Sequence, residues 1–75
     1  MFMNKNLSVI AYANGFTLWH YKSNETMKEI TDPSYFVPVK NLMHTGDIII
    51  INAKEETAIR KLVLADNKVK VKDLD

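Results

Sequence analysis

The segment Tyr12-Ala-Asn-Gly-Phe-Thr-Leu-Trp-His-Tyr-Lys22 restricts the folds open to this chain more than any other stretch. It predicts a β-hairpin: two runs rich in strand-forming residues meet at Asn14-Gly15, the dipeptide best suited to a type I′ turn, which requires φ > 0 at both central positions. Residues 7–13 form the first expected strand, with Leu7, Val9, Ala11 and Ala13 on one face and Ser8, Ile10 and Tyr12 on the other. Residues 16–22 form the second, with Phe16, Leu18, His20 and Lys22 opposed to Thr17, Trp19 and Tyr21. Neither face is cleanly polar. The hairpin is therefore expected to be covered on both sides, one by the core and one by a partner.

From residue 23 to residue 43 the β-period is lost. Ser23 offers a cap, an acidic first turn follows, and Met27 and Ile30 fall at helical spacing, predicting one or two turns of helix. Asp32-Pro33 ends it, because a residue preceding proline is driven out of the helical region. A second short helical turn is expected over 39–43. So long a connection in so short a chain points to a functional or partner-facing segment. Thr45-Gly46-Asp47 is a turn into Ile48-Ile-Ile-Ile-Asn-Ala53, where consecutive isoleucines predict a central strand covered on both faces. Residues 57–65 and 68–72 read as two further strands about Asp66-Asn67. Lys68-Val-Lys-Val-Lys72 has the alternation of an edge strand protected by charge. The fold class that follows is mainly β: one domain over 1–75, a small five-stranded β-barrel or sandwich with a short helical insertion.

At 75 residues the core is small, and a domain of this size usually needs a supplement. With no cysteine it is not a disulfide. The spacing of His20 and His44 matches no common zinc motif, and no cofactor site is implied. Self-association or docking on a larger assembly is the remaining expectation. The net charge of +1 lacks the basic excess usual in nucleic-acid or anionic-membrane binders. No apolar run is long enough to span a membrane, and the first residues do not read as a signal peptide, so synthesis in the cytoplasm is expected.

For chemistry, the sequence offers His20, flanked by Trp19 and Tyr21, and His44, with Asp47 the acid nearest to orient it. Ser34, His44 and Asp47 could be named as a triad, but a chain of this size provides such a triple by chance, and a general base needs a cleft that so few residues hardly build. Asp47 is read as a turn residue that accepts from nearby backbone amides. Gly15 and Gly46 lie too far apart to cradle a phosphate. No enzyme activity and no catalytic residue is assigned. Trp19, Tyr21, Tyr35 and Phe36 are the candidate contact surface, since aromatic side chains are enriched as interface anchors and four exceed what one face of a small core takes up.

Taken together, Asn14-Gly15-Phe16-Thr-Leu-Trp19-His-Tyr21-Lys, Tyr35-Phe36 and Gly46-Asp47-Ile48-Ile-Ile-Ile resemble a pattern of small bacteriophage and prophage structural proteins encoded near capsid genes. The resemblance spans residues 12–53 and leaves the last two strands outside it. It implies a non-enzymatic virion component, such as a head decoration (cement) protein or a capsid- or fibre-attachment module. The implied partners are the major capsid protein or another virion component, together with further copies of the chain in a homo-oligomer. Two rivals carry different expectations. A small nucleic-acid-binding β-barrel predicts salt-dependent oligonucleotide binding, and a regulatory or toxin-antitoxin-like partner predicts one tight cellular target.

Overall fold

A computed structural model describes residues 1–74. Five strands, β1 (Leu7–Ala13), β2 (Phe16–Lys22), β3 (Ile48–Asn52), β4 (Thr57–Ala65) and β5 (Lys68–Lys72), form one mixed sheet in the order β1-β2-β3-β4-β5. The chain is mainly β, as its patterning predicts. The sheet stays open rather than closing into a barrel, with β1 and β5 as its two edges and the isoleucine strand at its centre. Neighbours pair antiparallel except β2 and β3, which run parallel from Leu18↔Ile48 to Lys22↔Asn52. Parallel neighbours require a crossover, and residues 23–47 supply it. The long connection thus has a role within the fold: it lies across one side of the sheet as a second layer.

That layer holds α1 (Met27–Ile30) and a 3-10 turn at Val37–Val39, two residues ahead of the predicted second turn. The cap of α1 is Thr26 rather than Ser23. Its hydroxyl accepts from Glu29 N while the Glu29 carboxylate accepts from Thr26 N, a reciprocal capping box. Ser23 instead accepts from Glu25 N in the approach to the helix. Glu55, from the β3–β4 turn, accepts from Met27 N and ties the helix start to the sheet.

The core lies between the layers. Trp19, Tyr21, Ile49, Ile51, Leu62 and Val69 project from the sheet onto Met27, Ile30, Phe36, Val39 and Met43 of the connection. Alternation of β2 places its residues on the predicted faces. In β1 a bulge between Val9 and Ala11 reverses the order, so that Ala11 and Ala13 share the face of Ser8 rather than that of Leu7 and Val9. The turn chemistry differs as well. Only Gly15 of Asn14-Gly15 has positive φ (+103°), whereas Asp66 and Asn67 both do (53° and 60°). The mirror-image turn therefore joins β4 to β5, and the β1–β2 connection is a different two-residue turn.

Candidate interaction surface

Asp47 is the best-connected polar side chain of the interior. It is 1% exposed, and its carboxylate accepts from Thr17 N at 3.0 Å, Trp19 Nε1 at 3.0 Å and His44 N at 3.1 Å. Its main chain also pairs with Leu62 on β4. The carboxylate therefore locks β2 to the turn before β3, and the main chain of the same residue adds β4. The sequence reading of Asp47 as an acceptor for backbone amides captures part of this; the Trp19 indole was not legible at a separation of 28 residues.

The same bonds separate the nominal triad. Asp47 receives the backbone N–H of His44 rather than its ring, and Ser34 sits beside β5, where its hydroxyl accepts from Lys68 Nζ at 2.8 Å. His20 lies on the other side of the sheet. Its Nε2 accepts from Asn52 Nδ2 at 2.7 Å, and Thr57 donates to Asn52 Oδ1, a chain that stitches β2, β3 and β4.

The aromatic residues singled out as a contact surface form an interior cluster. Trp19, Tyr21 and Phe36 are buried, and Tyr35 is half-buried at the margin. Phe2, which the sequence reading left aside, joins them: it stacks on Tyr21 with centroids 5.5 Å apart and meets Tyr35 and Phe36 edge-on. Tyr21, Tyr35 and Phe36 pack edge-to-face at 5.1–5.7 Å, the arrangement the ring quadrupoles favour. Their polar ends are relayed outward: Met3 N donates to Tyr21 Oη, the two tyrosine hydroxyls bond at 2.7 Å, and Tyr35 donates to Glu25, which also pairs with the Met1 amino group. Burial first, and the Glu25 bond second, raise the Tyr35 hydroxyl above its ordinary value. The bond from the Met1 amino group, then that from Tyr35, lowers Glu25. The cluster pins the N-terminal segment and the connection to β2, and it takes Trp19, Tyr21 and Phe36 out of the surface.

What the chain leaves uncovered is the other face of the sheet. Cross-strand register sets out its rows: Ala11–Leu18–Ile48–Lys61–Lys72, then Ser8–His20–Ile50–Ile59, then Lys22–Asn52–Thr57, with Val63 opposite Lys70. The centre is apolar and partly exposed, reaching 49% at Ile59 and 38% at Phe16. Lys22, Lys61, Lys70 and Lys72 border it, and no strand residue on this face is acidic. Lys61 stands directly opposite Lys72, a like-charge pairing that disfavours the sheet. Among the described residues the ion pairs are Met1–Glu25 and Arg60–Asp73, so neither lysine is neutralised by one. Phe16 extends this exposed apolar surface toward the hairpin turn, whereas Val9 and Tyr12, opposite Trp19 and Thr17, are exposed on the other side of β1.

The opposite side of the molecule carries a groove of about 960 Å³, floored by Phe2, Tyr35, Pro38, Val39 and Leu42 and bordered by Glu25, Glu29 and Asp32. No group of acids, histidines or cysteines among the described residues is arranged to hold a metal. No helix is long and apolar enough to cross a membrane. No family model, curated protein or solved structure matches the chain.

Proposed function

We propose that this chain is a non-enzymatic structural module of a virus particle, a head decoration or capsid- or fibre-attachment protein that acts through protein–protein contacts. The observation that carries the reading is the uncovered sheet face. An apolar centre bordered by unneutralised lysines suits a protein partner that brings both apolar area and carboxylates. The virion context rests on the resemblance over residues 12–53. The contact surface proposed is accordingly Leu18, Ile50 and Ile59 with Lys70 and Lys72, in place of the aromatic set now found mostly inside.

Mass spectrometry of purified particles made by the genome encoding this chain tests the reading. Stoichiometric presence, at a copy number matching a symmetry class of the shell, is expected for the unaltered chain and is lost in Ile59→Asp. Absence from particles while the folded protein accumulates in the host would overturn it.

A second reading has its own observation. Four lysines share a face free of strand acids, although the chain as a whole is nearly neutral, and a phosphate backbone would satisfy them. A small nucleic-acid-binding module predicts binding to a nonspecific oligonucleotide that weakens steeply as salt rises and is lost in Lys70→Glu/Lys72→Glu.

A further inference from the structure

The uncovered sheet face and the acid-bordered groove have opposite chemistry and lie on opposite sides of one chain. The face offers Leu18, Ile50 and Ile59 beside Lys61, Lys70 and Lys72. The groove offers Leu42, 58% exposed, beside Glu29 and Asp32. Glu29 caps α1 and Asp32 accepts from Ser34 N, and neither is in an ion pair among the described residues.

We infer that the occupant of the sheet face is a second copy of this chain, docked head-to-tail, with Leu42 of one copy set on the Leu18–Ile50–Ile59 surface of the next and Glu29 and Asp32 set against its lysines. Face-to-face pairing about a two-fold axis would bring the lysine borders of two copies together and leave each without a counter-charge. Groove-to-groove pairing does the same with carboxylates. Only the heterologous arrangement satisfies both borders at once. A contact of that kind closes into a ring or runs on as a filament. The inference rests on the proposed use of the sheet face but not on the virion context.

Light scattering of the purified protein across concentration and salt tests it. Mass is expected to rise above that of the monomer with concentration at low salt, and to fall back as salt screens the borders. Lys70→Glu/Lys72→Glu is expected to give a monomer. Glu29→Gln/Asp32→Asn keeps the capping and turn hydrogen bonds while removing the charge. It is expected to weaken association roughly threefold to tenfold, as partly exposed ion pairs do, and to flatten its salt dependence. Mixing Lys70→Glu/Lys72→Glu with Glu29→Lys/Asp32→Lys restores association, because each variant's altered surface then meets an opposite one. If the latter variant does not fold by circular dichroism, the neutral pair decides alone.

A monomer at every concentration overturns the inference. So does association indifferent to salt and to Lys70→Glu/Lys72→Glu. Stoichiometric presence in particles with a monomer in solution would sink self-docking and keep the virion reading. Self-association without incorporation would do the reverse.

Discussion

At the scale of single residues, polar side chains decide more of this fold than their number suggests. Asp47 collects two backbone N–H groups and the Trp19 indole inside the molecule. Asp47→Ala would orphan all three donors, and each buried group left unpaired costs about 1–3 kcal/mol. A loss of roughly 3–5 kcal/mol is expected in chemical denaturation, enough to unfold much of so small a domain at room temperature. A loss below about 1 kcal/mol would mean that water replaces the carboxylate. Glu25 is the pH-sensitive counterpart. Its folded-state value is lowered by the Met1 amino group and by Tyr35, so its contribution is present above the ordinary carboxylate range and disappears as pH falls through the depressed value. Glu25→Gln is expected to flatten the acid limb of the stability–pH profile and leave its neutral-to-basic part parallel to that of the unaltered chain. Identical acid slopes would count against the network.

At the scale of elements, β4 shows how one strand serves two environments. Leu62 faces the core and is fully buried, whereas Ile59 faces outward and is half exposed. Leu62→Ala should cost about 2–5 kcal/mol through lost burial and the cavity it leaves. Ile59→Ala should change stability by no more than about 1 kcal/mol. Measured side by side in urea, comparable losses would mean that the open face is covered in the isolated chain. The two sheet edges are also unlike. Along β5 three lysines discourage pairing and Val69 N donates to Pro33 O, while β1 carries no charge and is exposed along nearly its whole length, its regularity broken by the bulge at Ile10.

At the scale of the whole molecule, two layers enclose one thin core, and each side carries its own bordering charge. Lysines border the sheet face and carboxylates border the groove, so the net charge of +1 conceals a polarity that bears on association. Trp19 reports on the arrangement. At 6% exposure and hydrogen-bonded to Asp47, it is expected to resist acrylamide quenching equally in dilute monomer and in any assembly. Strong quenching of the monomer that vanishes on association would return Trp19 to the contact surface and displace the open face from that role.

Much of the architecture was legible because local physics wrote it. Period-two alternation marked β1, β2 and β5, turn residues bounded β4, four consecutive isoleucines marked the centre, and alternating lysines marked an edge. Alternation tells which residues share a face but not what covers that face. Trp19, Tyr21 and Phe36 therefore read equally well as surface or as core until the connection folded over them and Phe2 closed the cluster. The parallel β2–β3 pairing, the β1 bulge, the choice of which turn is type I′, and the bond from Trp19 to Asp47 depend on contacts between residues far apart in the chain. The sequence by itself determined where the strands lie and, in β2, which residues share a face, since these follow from local backbone preference and periodicity; in β1 the bulge overrode the alternation. Only the tertiary structure decided which face became interior and which was left to a partner, because the length and packing of a single crossover cover one side of a sheet and not both.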